Sequence, residues 1–183
     1  MPAPTLIIGT THVEITRGNI TAERTDAIVN AANTGLRGGG GVDGAIHHAG
    51  GPSITEECRK IGRCPTGKAV ITGGGKLHAR WVIHAVGPIY AGMRTDADEL
   101  ASAYRESLAR AMEAGAKSVS FPSISTGAYG YPIRQAAPVA IDTVVETVKQ
   151  NPEKFDLIRF VLFSDADYAE YFSEFMLRGA RRD

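Results

Sequence analysis

The 183-residue sequence has little cysteine, no surplus of either charge and no long apolar run, and each shortage closes off a class of function. Its two cysteines, Cys58 and Cys64, do not form a C-x-x-C pair and have no third or fourth ligand near them in sequence. A disulfide framework is therefore excluded, and two reduced thiols point to a cytoplasmic protein. Lys plus Arg and Asp plus Glu number 20 each, so no net field draws the chain to nucleic acid or an anionic membrane. No stretch approaches the roughly 20 apolar residues of a membrane span. The opening MPAPTLIIGTTH has neither the basic start nor the apolar length of a signal peptide. Metal-ligand spacing is also missing, which favours metal-free chemistry and no cofactor. With no internal repeat, low-complexity tract or linker, residues 1–183 read as one domain, with a monomer as the default. The short basic tail, Arg178 to Arg182, reads as a solvated cluster.

What is present is a core-forming pattern. At this length a compact fold hides roughly 70% of the surface that the unfolded chain exposes, enough for a core without staples. Short runs rich in Val, Ile or Phe predict strands at Val13–Thr16, Ala27–Asn30, Ala69–Thr72, Trp81–Ala85, Ser118–Pro122 and Ile158–Phe163. Between them, helices are predicted at Val42–Ala49, Ser53–Lys60, Asp96–Ala114, Arg134–Gln150 and Asp165–Leu177. Leu100, Tyr104, Leu108 and Met112 recur every four residues, with Gly115 as the stop. Ala140, Val144 and Val148 mark a second amphipathic face, ended by Asn151-Pro152. Strands separated by such helices give an α/β fold whose sheet is covered on both faces.

Two glycine clusters stand out among the 21 glycines. The first runs from Asn30 through Asn33 to Gly38-Gly39-Gly40-Gly41-Val42-Asp43-Gly44. Four successive glycines after a strand let the backbone take positive φ and approach a ligand closely. The helix starting near Val42 then offers free N–H groups and a positive dipole end, where phosphate oxygens bind well. The second, Ser123-Ile124-Ser125-Thr126-Gly127-Ala128-Tyr129-Gly130-Tyr131-Pro132, follows another strand. Ligands sit at the carboxyl ends of strands in open α/β sheets, so the pair forms a clamp for a diphosphate.

Two motif matches fail on context. Gly39 to Gly44 satisfies G-x-G-x-x-G, but eight residues, Ala31 to Gly38, separate it from its strand, and Glu56 and Glu57 fall in a helix rather than ending a strand. Gly62 to Lys68 resembles a Walker A loop, but Ala69 cannot ligate Mg²⁺ and a strand follows instead of a helix. His12, His48 and His78 have no matching partners and read as surface residues, while His84, inside a strand, reads as a satisfied core histidine.

The long spaced pattern resembles the macrodomain family, in its MacroD-type ADP-ribosylhydrolase branch. It comprises Arg17-Gly18-Asn19-Ile20-Thr21, Asp26 to Asn33, Gly38 to Gly44 with Ala45-Ile46-His47, Val82 to Pro88, and Phe121 to Pro132, nearly the whole chain. The resemblance implies a three-layer α/β/α sandwich with a mixed, mostly parallel sheet. It also implies a cleft for ADP-ribose and ADP-ribosylated proteins, holding Asn19, Ile20, Gly40, Gly41, Val42, Ser125, Thr126, Gly127, Ala128, Tyr129 and Phe163. The implied reaction is removal of mono-ADP-ribose from Asp or Glu side chains, with deacetylation of O-acetyl-ADP-ribose alongside. A reader module without turnover, or a hydrolase acting on ADP-ribosylated nucleic acid, are the alternatives.

Two positions depart from the family's pattern. Asn19 stands where the family has Asp; its carbonyl is expected to accept the adenine amino bond without charge assistance. Ala128 replaces a branched residue and leaves less apolar bulk over the phosphates. For the chemistry, Asn33 suits the fixing of ribose hydroxyls and Asp43 the positioning or deprotonation of water, with a substrate phosphate able to share that role. The competing readings are a helix cap for Asp43 and a turn residue for Asn33. His47, one turn beyond Asp43, either supports the acid or is structural. Phe163 either stacks on adenine or belongs to the core.

Overall fold

A computed structural model describes residues 2–180. Among these residues seven strands form one sheet: β1 (Thr5–Ile8), β2 (Thr11–Arg17), β3 (Ala27–Ala31), β4 (Ala69–Gly73), β5 (Trp81–Ala85), β6 (Ser118–Phe121) and β7 (Leu157–Leu162). The spatial order is β1-β2-β7-β6-β3-β5-β4. The inner pairs β2–β7, β7–β6, β6–β3 and β3–β5 are parallel, and the two edge pairs β1–β2 and β4–β5 are antiparallel. The helices are α1 (Gly41–Gly50), α2 (Pro52–Ile61), α3 (Arg94–Ala114), α4 (Ile133–Gln150) and α5 (Asp165–Leu177). The predicted sandwich is therefore found, with every predicted element present to within two residues at each end. Missing from the prediction were β1, four residues held by pairing with β2, and a 3-10 turn at Ile20–Ala22.

Two cores lie on opposite faces of the sheet. The larger gathers Leu100, Tyr104 and Leu108 of α3, Ile141 and Val144 of α4, and Tyr171 and Phe175 of α5 against the strands. The smaller sets Ile46, Ile54 and Cys58 of α1 and α2 against Ile28 and Val82. Side chains alternate across a strand, so Ala27 and Val29 of β3 face the larger core while Ile28 faces the smaller. The same alternation turns Asn30 of β3 and His84 of β5, direct partners in register, towards α1 and α2. Two polar side chains are thus placed inside an apolar layer by periodicity alone.

The expectation of a solvated basic tail is corrected at Arg178. Its guanidinium bonds Asp142 at 2.8 Å and Glu174 at 2.6 Å, tying the end of α5 to α4. The remainder of that cluster, Arg181 and Arg182, lies outside the described residues. Among the described residues, no helix is long and apolar enough to cross a membrane.

Candidate functional site

Because β2, β7, β6, β3 and β5 all run the same way, their carboxyl ends share one edge, and the loops leaving them enclose a cleft. It has two adjoining lobes of about 380 and 340 Å³, each within the range of small-ligand sites. Asn33, Gly40, Asp43, Ser125, Ala128 and Tyr129 line the first lobe. Asn19, Ile20, Thr126 and Phe163 line the second. Gly41, Val42 and Gly127 line both, so the two glycine loops face each other across the waist. The cleft thus brings together every residue expected at the site. Gly87 in the first lobe and Asp167 in the second also line the cleft, and neither is among the site residues expected from the sequence.

The first loop is shaped by backbone that only glycine takes easily. Gly38 and Gly41 sit at φ +75° and +57°, and Gly44 packs so closely on the carbonyl of Gly39 that a Cβ there would collide with it. Gly40 is the N-cap of α1, with no side-chain cap bond, so the first N–H groups of the helix stay free at the waist. Asn33 does serve the turn: its Nδ2 donates to the carbonyl of Gly38 at 2.9 Å and its Oδ1 accepts from the N–H of Arg37 at 3.2 Å. An amide has one more donor and one more acceptor to offer, so the turn role and a ligand role coexist.

The second loop is held from below. The Tyr104 hydroxyl accepts the N–H of Ile124 at 2.9 Å, and the Tyr171 hydroxyl donates to Ser123 at 3.0 Å. Tyr131 closes the loop by donating its N–H to the carbonyl of Ser125 at 2.9 Å. Ser125 itself adopts φ +68°, unusual for a residue with a side chain, and its buried hydroxyl has no partner among the described residues. Strained backbone and an unpaired hydroxyl at a cleft wall are features of binding sites.

Asp43 is not a helix cap. It lies in the first turn of α1, 6% exposed, and its Oδ1 accepts from Asn30 Nδ2 at 2.8 Å and faces His47 Nε2 at 3.2 Å. Oδ2 has no protein donor among the described residues, which leaves it for water or a ligand hydroxyl. His47 Nδ1 meets the Thr55 hydroxyl at 3.1 Å, so Nε2–H is the natural donor to Asp43 and the histidine supports the acid.

Behind Asp43 lies a buried polar chain that the sequence hid. Asn30 Nδ2 also meets His84 Nδ1 at 3.1 Å, and His84 Nε2 meets the Thr72 hydroxyl at 2.9 Å. Cys58 Sγ lies 3.6 Å from the same Nε2. Burial, with His47 close by, pushes His84 down to about 3, so its ring is neutral and Nδ1 accepts. Burial, with the charges of Asp43 and Glu57, pushes the Cys58 thiol up to about 11. Asn30 Oδ1 is left buried without a partner among the described residues. His84 is thus a satisfied core histidine, as expected, but Cys58 is not a lone thiol. Residues 30, 58, 72 and 84 come from four elements and have no motif spacing, so only the register of β3, β4 and β5 under α2 reveals the group.

In the second lobe two expectations change. Phe163 is 76% exposed and lies just past the end of β7, so it is not a core residue and its ring borders the lobe. Asn19 caps the 3-10 turn: its Oδ1 accepts both the Thr21 N–H at 3.0 Å and the Thr21 hydroxyl at 2.8 Å. Both lone pairs are taken, so the amide nitrogen, not the expected carbonyl, is the free group. The Asn-x-Thr spacing was the available signal for this local turn. The carboxylate in this lobe is that of Asp167, in the first turn of α5.

The Macro domain family matches residues 29–140. A Macro domain-containing protein of Caldanaerobacter subterraneus subsp. tengcongensis is 55% identical over 164 residues, covering 87% of this chain and 93% of its own length. The ADP-ribose glycohydrolase MACROD2 of Xenopus laevis is 51% identical over 161 residues, 87% of this chain but 38% of that longer protein. Among solved structures, the Oceanobacillus iheyensis macrodomain with ADP superposes with a TM-score of 0.91 at 42% identity, covering 95% of both chains.

Proposed function

The chain belongs to the macrodomain family, and from that premise we propose that it binds ADP-ribose and hydrolyses mono-ADP-ribose from Asp and Glu side chains of proteins. The observation that carries the proposal is Asp43: a buried carboxylate with Oδ1 fixed by Asn30 and His47 and Oδ2 free on the wall of the lobe that also holds Asn33. A group held this way positions a proton acceptor without having to order it at the moment of reaction. Support also comes from the relatives: the Oceanobacillus protein was solved with ADP, and the Xenopus protein is named as an ADP-ribose glycohydrolase.

In this reading the base enters the second lobe, beside Phe163. The diphosphate crosses the waist between Gly40–Val42 and Ser125–Gly127, and the distal ribose reaches Asn33 and Asp43 in the first lobe. Free N–H groups at the start of α1 face the diphosphate. Asn33 fixes ribose hydroxyls, and Asp43 Oδ2 takes the proton of a water or of a ribose hydroxyl that in turn orients the water. Water adds across the bond between the ribose and the acyl oxygen, releasing ADP-ribose and a free carboxylate. O-acetyl-ADP-ribose also carries a ribose ester, which the same held water would open at its acyl carbon, releasing ADP-ribose and acetate. The protein acts as a monomer, with no cofactor.

The test is a release assay on a protein mono-ADP-ribosylated at Glu, run beside calorimetry with free ADP-ribose. The expected outcome is binding with turnover in the wild type, and binding with release at the buffer rate in Asp43→Ala. Binding without wild-type release would make the chain a reader of ADP-ribose rather than a hydrolase.

A further inference from the structure

His47, Cys58 and His84 each offer a ligand atom, and the three atoms lie within 4.8 Å of one another beneath the catalytic carboxylate. Two imidazoles and a thiol form a soft donor set of the kind that selects zinc over magnesium or calcium. We propose that these residues form a latent site for a thiophilic divalent cation such as Zn²⁺, and that filling it switches Asp43 off.

The pocket is dry, which opposes a bare cation, but the charges balance. A divalent ion, a Cys58 thiolate and the Asp43 carboxylate next to His47 sum to zero. The Nε2 of His84 is the nitrogen nearer Cys58 Sγ, 3.6 Å against 4.0 Å for Nδ1. Binding exchanges the thiol proton for the metal: the S–H bond breaks, the S–metal bond forms, and one proton leaves to solvent, with no oxidant involved.

The second observation is Asn30 Oδ1, without a partner among the described residues and on a residue with no exposed surface. With no metal, His84 carries its proton on Nε2, bonded to Thr72, and Nδ1 accepts from Asn30. A metal on Nε2 moves that proton to Nδ1, where it would confront the Asn30 N–H. Metal-bound histidines give their other N–H to an oxygen acceptor, and the orphan Oδ1 is that acceptor once the amide turns over. The same turn replaces the N–H that Asp43 Oδ1 receives with a carbonyl oxygen. Asp43 thereby loses its Asn30 donor, and His47 is drawn to the metal. Occupation of the site is coupled to the water-positioning group through one amide flip.

Inhibition rests on the hydrolase reading, whereas metal binding does not, so the test reads both. The chelator-treated full chain is titrated with Co²⁺ for a thiolate-to-cobalt charge-transfer band, and with Zn²⁺ for proton release and for loss of ADP-ribose release from a Glu-modified protein. One equivalent, one thiolate band and inhibition are expected in the wild type and in the control Cys64→Ala. Cys58→Ala is expected to keep its metal-free turnover, lose the band and need far more Zn²⁺ for half-inhibition, beyond the roughly 10–100-fold that loss of an outer-shell partner costs. No thiolate band in the wild type, or equal Zn²⁺ sensitivity in Cys58→Ala, overturns the proposal. If the metal-free wild type binds Co²⁺ with a thiolate band but never releases ADP-ribose, the site stands and the hydrolase reading fails.

Discussion

Replacing Tyr104 by Phe tests how the cleft is held to the core. Tyr104 sits on α3 and is fully buried; its hydroxyl accepts the Ile124 N–H at 2.9 Å and donates to the Pro122 carbonyl at 3.3 Å. The ring stays against Phe121 and Phe160 in the variant, so no cavity of consequence opens. What is lost is the partner of a backbone N–H beside Ile124, itself 1% exposed. Leaving such a donor unsatisfied costs about 1–3 kcal/mol, and the longer bond to Pro122 adds little. At about 2 kcal/mol, a chain of this size should melt roughly 4–8 °C lower. Because Ile124 lies at the root of the Ser123–Tyr129 loop, part of the loss should reach the ligand. About 1 kcal/mol spent on reordering the loop weakens ADP-ribose binding roughly fivefold. Calorimetry for binding and thermal denaturation with and without ligand measure the two effects. A melting temperature within about 1 °C of wild type would refute the anchor. A lower melting temperature with unchanged affinity would refute the link from α3 to the loop.

Gly44→Ala forces its Cβ onto the Gly39 carbonyl, so the first loop must shift; ADP-ribose affinity should fall at least about tenfold, worth 1.4 kcal/mol, as read by calorimetry. Asn19→Asp keeps the cap on Thr21 and adds a charged acceptor in the second lobe; tighter ADP-ribose binding is expected, and unchanged or weaker binding would show that Asp167 already supplies that contact. His84 makes stability pH-dependent in a definite direction. Its folded pKa is depressed, so the unfolded chain takes up the proton first, and stability is full above about 6.5 and falls as the pH drops towards about 3. Urea denaturation should show a slope of up to about 1.4 kcal/mol per pH unit in that window, reduced in His84→Gln.

The sequence by itself determined the layers and both glycine loops. Strands and helices announce themselves by periodicity, which is local, and glycine clusters announce a backbone path that other residues resist. Asn33, Asp43 and the Ser125–Tyr129 run were legible for the same reason: each lies inside a contiguous segment. The sequence was silent on β1, whose four residues become a strand only by pairing with β2. It left Phe163 open, since the choice between core and cleft rim depends on β7 ending one residue earlier, at Leu162. It misdirected Asn19, whose carbonyl a neighbouring threonine captures. Above all, it concealed the group around Asp43. Asn30, Cys58, Thr72 and His84 are scattered over 55 positions (residues 30–84), and each alone reads as ordinary core. Sheet register set Asn30 beside His84, and α2 laid Cys58 over them. Hydrogen bonds have no sequence period, so which polar side chains satisfy one another in a dry interior is decided only when the layers close.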